Sequence, residues 1–197
     1  IDYLIAARSG VYYCKVTDSS GAFVNSDNAT LTVYGQLQFN SQPQSQTGYL
    51  GESVTLSVEA FGGKTPYTYV WKKNNVAIPG ATAAQYVINS AASTDEGSYQ
   101  CTVSDQLHNS VDTSTSVLSL YNTPNFTVQP VGGTVSSGSS HTFNVTATGG
   151  IGTLTYQWYK DGNAIANART SSHVISNVTS TEAGNYYCTV TDTKNRT

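Results

Sequence analysis

Asp95-Glu96-Gly97-Ser98-Tyr99-Gln100-Cys101 has a close copy downstream, Glu182-Ala183-Gly184-Asn185-Tyr186-Tyr187-Cys188, and another near the start, Arg8-Ser9-Gly10-Val11-Tyr12-Tyr13-Cys14. The three cysteines stand 87 residues apart, a fixed period of one small-domain length, which marks a tandem array. After each cysteine the pattern continues: Cys14-Lys15-Val16-Thr17-Asp18 returns as Cys101-Thr102-Val103-Ser104-Asp105 and Cys188-Thr189-Val190-Thr191-Asp192. Side chains alternate across a strand, so Tyr, Cys and Val share one face and the polar residues between them the other. Gly10, Gly97 and Gly184 begin the pattern, where a tight corner is expected to leave little room for a side chain.

Working outward, Trp71 in Tyr67-Thr68-Tyr69-Val70-Trp71-Lys72-Lys73 and Trp158 in Leu154-Thr155-Tyr156-Gln157-Trp158-Tyr159-Lys160 keep the same 87-residue spacing. A Trp about 30 residues before Gly-x-Tyr-x-Cys resembles the immunoglobulin-like β-sandwich, whose strand C carries a buried Trp and whose strand F opens with a tyrosine corner. The run Tyr156-Gln157-Trp158-Tyr159-Lys160-Asp161-Gly162 resembles the tandem immunoglobulin-like repeats, I-set or bacterial type, of bacterial and phage surface proteins. The match is densest over 51–105 and 138–192. The resemblance implies an all-β chain of tandem sandwiches, about 87 residues per repeat, with seven strands or an I-set-like arrangement. It assigns a structural core to Tyr12, Cys14, Val58, Trp71, Tyr99, Cys101, Val145, Trp158, Tyr186 and Cys188.

The chain departs from that family in its cysteines. Antibody-type domains bridge strand F to strand B by a disulfide. Here the strand B positions, 13 residues before each Trp, are Val58 and Val145. The inter-sheet disulfide is therefore expected to be absent, with Cys101 and Cys188 buried and unpaired. A bridge of that loop size would contribute about 4 kcal/mol in the chain-entropy model; Val packed against Trp and a buried thiol must offset its loss.

The period divides the chain into three parts. Residues 1–34 read as the C-terminal part of a sandwich, with Ile1 at the end of strand E, Val11 to Thr17 as strand F and Ala29 to Tyr34 as strand G. Residues 35–121 read as a complete repeat: Val54-x-Leu56-x-Val58 is strand B, Gln85 to Ile88 strand E, and Val111 to Tyr121 strand G. Residues 122–197 repeat this pattern up to the F–G turn without a strand G. Both ends are expected to be cut from a longer array. The junctions at Tyr34-Gly35-Gln36 and Tyr121-Asn122-Thr123-Pro124 are too short to be flexible Gly/Ser linkers.

Composition excludes several classes. Net charge is −3 and only 11% of residues are charged, so there is no basic footprint for nucleic acid. No apolar run reaches membrane-spanning length. His108, His141 and His173 are scattered, and no cysteine lies in a Cys-x-x-Cys pair, so no metal site, catalytic residue or cofactor is expected. The carboxylates of Asp18, Asp105 and Asp192 read as turn caps. The Gly-Gly pairs at 62–63, 132–133 and 149–150 read as turns rather than phosphate loops. Sequons at Asn28, Asn125, Asn144, Asn177 and Asn195 do not recur with the period.

These features imply a non-catalytic array on a cell or virion surface, acting as a spacer, fibre or adhesion element. Its partners would be a protein or glycan at that surface, or copies of itself. Two alternatives stand beside it: a module binding a glycan or protein through its B–C or F–G loops, where Tyr67 and Tyr69 are the aromatic candidates, and an accessory segment of a large secreted enzyme.

Overall fold

The structure, a computed structural model, describes residues 8–197 and is all-β, with no α-helix among those residues. It separates into two compact units, one including Ser53–Ile88 and Glu96–Leu118, the other Thr47–Glu52, Asn89–Asp95 and Ser119–Thr197. The expected position of Ile1 lies outside the described residues.

The first segment holds β1 (Gly10–Tyr12), β2 (Lys15–Thr17), β3 (Phe23–Asn25) and β4 (Ala29–Leu31), with β1 paired to β4 and β2 to β3. Asp18 makes the turn between β2 and β3, its carboxylate accepting from the Ser20 N–H (2.9 Å), the Ser20 hydroxyl (2.7 Å) and the Ala22 N–H (3.0 Å). Strand F is broken at Tyr13-Cys14 rather than continuous, because the Cys14 N–H donates to the Ser26 hydroxyl and its carbonyl accepts from the Ser26 N–H. The expectation that Tyr12 and Cys14 lie in a core is corrected here, since both are exposed. No second sheet covers this hairpin among the described residues, so its inward face has nothing to pack on.

The second repeat runs β5 (Gln38–Ser41), β6 (Gln46–Tyr49), β7 (Val54–Ser57), β8 (Glu59–Phe61), β9 (Thr68–Lys73), β10 (Val76–Ala77), β11 (Gln85–Ile88), β12 (Gly97–Ser104), β13 (Ser110–Asp112) and β14 (Ser116–Tyr121). One layer pairs β7 with β11 and β8 with β5; the other has the order β10-β9-β12-β14-β6. The early strand β6 lies beside the last strand while β5 pairs in the other layer, so the chain crosses between layers from β5 to β6. Strand B extends the β11 register one residue past Ser57, the Val58 N–H donating to the Ala84 carbonyl (3.0 Å), and then pairs with β5 as β8. The closing strand, expected as one run, is split at Thr113. Its hydroxyl accepts from the Cys101 N–H (3.0 Å) while its own N–H donates to the Cys101 carbonyl (2.9 Å), so a side chain stands in the ladder.

The third repeat contains β15 (Asn125–Val128), β16 (His141–Asn144), β17 (Thr146–Thr148), β18 (Thr155–Lys160), β19 (Asn163–Ala164), β20 (Ser172–Ile175) and β21 (Tyr186–Thr191). Its pairs repeat those before it: β15 with β17, β16 with β20, and a β19-β18-β21 sheet. Burial alternates along β7 and β12 as the period-two pattern requires, with Val54 and Leu56 inward from one layer and Tyr99, Cys101 and Val103 from the other.

Candidate functional site

Trp71 and Cys101 face each other in register on β9 and β12, and both are wholly buried. Trp158 and Cys188 repeat the pair on β18 and β21. Each indole satisfies its N–H on a backbone carbonyl, Trp71 on Ala83 and Trp158 on Thr170, both at 2.9 Å. Val58 and Val145 are buried in the opposite layers, at 4% and 5% exposure. Rings extend each core: Trp71, Tyr86 and Tyr99 lie 6.1 and 5.9 Å apart in sequence, and Trp158, His173 and Tyr186 lie 6.0 and 6.3 Å apart. The Tyr186 hydroxyl donates to the Glu182 carbonyl and the Tyr12 hydroxyl to the Arg8 carbonyl, both at 2.7 Å, which is the back-bond of a tyrosine corner. A Cβ on Gly97 would meet the Asn74 side chain and one on Gly184 the Asp161 side chain, whereas Gly10 has only ordinary contact. Those side chains receive the N–H of the next residue, Ser98 on Asn74 and Asn185 on Asp161.

At the B–C and F–G end, Asp105, Tyr67 and Asp192 are already engaged. Asp105 is buried, and its carboxylate accepts from the N–H groups of Lys64, Leu107 and Asn109 and from the Asn109 amide. The Asn109 amide and then those N–H groups, acting against desolvation, hold this carboxyl below its ordinary range. Asp192 does the same for the third repeat, accepting from the N–H groups of Ile151 (2.8 Å), Lys194 (2.9 Å) and Arg196 (3.1 Å) and from the Tyr49 hydroxyl. Desolvation works to raise Asp192, but these donors outweigh it and bring the carboxyl to about 2. Tyr67, a loop-binding candidate, spends its hydroxyl on the Gly62 carbonyl, and burial pushes the half-buried Tyr69 phenol up. His141 sits edge-on to Phe143 at 4.6 Å. His108 lies in the F–G turn at positive φ, and the described residues hold no cluster of three metal-ligating side chains.

Comparison with known proteins fits this geometry. The immunoglobulin domain family model matches residues 38–105 and 123–192, which hold both Trp–Cys pairs. The chain belongs to the immunoglobulin domain family. It is 48% identical over 65 residues to the decoration protein of Escherichia phage T5, covering 33% of this chain and 40% of that protein. It is 37% identical over 65 residues to the netrin receptor DCC of Mus musculus, covering 33% of this chain and 4% of the receptor. Extracellular domains 3–5 of Drosophila OTK superpose with a TM-score of 0.61 at 24% identity, covering 97% of this chain and 69% of that one, a likeness of fold. The chain thus spans well under half the length of these curated relatives.

The buried thiols of the two immunoglobulin domains, Cys101 and Cys188, are free, as is the exposed Cys14 that precedes them. Burial pushes the Cys101 thiol up to about 11 and that of Cys188 in the same direction. A neutral, covered thiol is a poor nucleophile. Native labelling with a maleimide at pH 7.5 is therefore expected to modify Cys14 rapidly and the other two only on unfolding. Rapid triple labelling without denaturant would contradict the packing.

His173 replaces Tyr86 in the third repeat's ring series, and burial holds its imidazole below the ordinary 6.5. The unfolded state then binds the proton first. Stability of this immunoglobulin domain is complete above pH 6.5 and falls as the pH drops from there toward the folded-state value. Calorimetry is expected to show the third repeat melting lower at pH 5 than at pH 7, with His173→Tyr abolishing that drop. An unchanged drop in the variant would assign it to other groups.

One surface feature escaped the sequence reading. Tyr159 and Tyr187 are cross-strand neighbours on the outward face of β18 and β21, stacked at 4.8 Å with planes 4° apart, and Tyr187 is 43% exposed. The only signal for it was that both lie next to an inward Trp or Cys, and so must face out.

Proposed function

We infer that this chain is part of a non-catalytic immunoglobulin-like array displayed on a virion or cell surface, where it acts as a structural spacer, fibre or adhesion element. The observation that carries the reading is where the side chains go. Asp105 and Asp192 are committed to holding loops, Glu182 caps a turn in a reciprocal box with Thr179, and the aromatic rings make core. Residues able to do acid–base chemistry are thereby used for architecture in both repeats. The 48% identity to a phage decoration protein supports a surface setting. Antibodies raised against the chain are expected to label intact virions or cells of its source. Labelling only after lysis would contradict the proposal.

A second reading, recognition of a glycan or protein, has one observation in its favour: the exposed Tyr159–Tyr187 stack, flanked by the outward Gln157 and Thr189. Aromatic faces of this kind suit the apolar side of a sugar ring or a protein hot spot. A Tyr159→Ala/Tyr187→Ala variant that loses adhesion while keeping its melting temperature would favour this reading over a spacer.

A further inference from the structure

Asp105 and Thr113 are buried, at 5% and 2% exposure, yet every residue between them, Gln106 to Asp112, is exposed. Both ends of this stretch are fixed to the sandwich. Thr113 accepts the Cys101 N–H on its hydroxyl (3.0 Å), gives its own N–H to the Cys101 carbonyl (2.9 Å) and takes the Gln100 amide on its carbonyl (2.8 Å). The Asp105 carboxylate accepts the Lys64 N–H (3.1 Å) from the B–C loop. An anchor that moved would leave buried backbone groups without partners, which is costly.

The stretch between the anchors is held differently. Strand β13 pairs with β12 and lies off the β10-β9-β12-β14-β6 path. Its side-chain ties sit in solvent: Ser104 to Ser110 at 2.7 Å, Thr102 to Asp112, and Lys72 to Asp112 at 3.6 Å. Exposed ties of this sort hold weakly. At the tip, the Leu107 and Asn109 N–H groups reach the Asp105 carboxylate (2.9 Å each), bonds that water replaces if the tip lifts. Beyond Thr113 the same strand becomes core, with Ser116, Leu118 and Leu120 at 1%, 1% and 8% exposure. The change comes at a bulge, where Gln100-Cys101 opposes Thr113-Ser114-Thr115 between the Thr102–Asp112 and Tyr99–Ser116 pairs.

One period earlier, Asp18 and Ser26 stand in the matching places. The Ser26 hydroxyl accepts the Cys14 N–H and its own N–H donates to the Cys14 carbonyl, both at 2.9 Å. The bulge returns as well, Tyr13-Cys14 against Ser26-Asp27-Asn28. No opposing layer covers that strand among the described residues, so local backbone chemistry sets this arrangement rather than core packing.

We propose that Gln106 to Asp112 form a flap that swings open between Asp105 and Thr113 while the Trp71 core stays closed, with the Thr113 hydroxyl as its hinge pin. Contact-making loops are drawn from the least stable parts of a fold. The flap gives the second repeat a tip that adapts to what it meets. The surface-array reading needs no moving part and stands without it.

Amide exchange of the 197-residue protein, followed residue by residue by NMR, tests this. The Leu107, His108 and Asn109 amides are expected to exchange at least ~100-fold faster than those of Cys101 and Thr113, at a rate that low denaturant leaves unchanged. The Cys101 and Thr113 amides should exchange only with global unfolding of the second repeat, as should that of Trp71, which is bonded to the Ala81 carbonyl. In Thr113→Val the Cys101 amide loses its acceptor and should exchange at least ~10-fold faster relative to Trp71, while Thr113→Ser keeps the parent pattern. Referring each rate to Trp71 removes any overall loss of stability. Identical rates and denaturant dependence for Leu107 and Cys101 would overturn the flap. A Cys101 amide that still tracks Trp71 in Thr113→Val would overturn the pin.

Discussion

Trp158→Ala is expected to cost about 3–5 kcal/mol, the range for removing a wholly buried large aromatic. The indole has no exposed surface, packs against Phe143 (5.9 Å) and His173 (6.0 Å), and bonds the Thr170 carbonyl. A small domain has a total stability of about 5–15 kcal/mol, and one of this size sits low in that range. The third repeat should therefore be largely unfolded in the variant at 25 °C while the second still melts cooperatively. Urea unfolding followed by circular dichroism measures both. A loss under 1 kcal/mol would mean that Trp158 is not the centre of its core.

Gly62→Ala is expected to destabilise the second repeat by about 2–4 kcal/mol, a left-handed backbone penalty plus overpacking. Gly62 has φ +71, and a Cβ there would overlap the carbonyl oxygen of Gln36, which is backbone and cannot swing away. The next residue ties the same approach, Gly63 N–H to Gly35 carbonyl at 2.8 Å. Gly149 in the third repeat has φ +76 and the same conflict with Thr123, so Gly149→Ala should reproduce the effect. By contrast, Gly80→Ala, at φ +78 with open space around it, should cost about 1 kcal/mol from backbone conformation alone. Denaturant midpoints of the three variants provide the comparison, and equal losses would show that close approach plays no part.

The fold was legible because its signals are local and repeated. Period-two alternation around Cys101 and Cys188 identifies inward faces without knowledge of what lies opposite, and two Trp residues at one spacing fix the partner strand. Val58 and Val145 could be placed by counting from Trp71 and Trp158, so the missing disulfide was readable too. Features that depend on a distant partner were not. Thr113 breaks the closing strand only because the Cys101 backbone is there to receive it. Tyr67 has the look of a loop aromatic but gives its hydroxyl to Gly62. Cys14 and Tyr12 follow the core pattern, yet remain exposed because a strand's inward face needs an opposing layer.

Each repeat is held by Trp-centred packing with a free thiol on strand F, where antibody-type domains carry a covalent bridge. Thermal unfolding with and without a strong reductant tests this most directly. The same melting temperatures are expected in both conditions, because Cys101 faces Trp71 and Cys188 faces Trp158 with Val58 and Val145 in the opposite layers. A melting temperature that falls on reduction would show a disulfide contributing to the native state, and would contradict it.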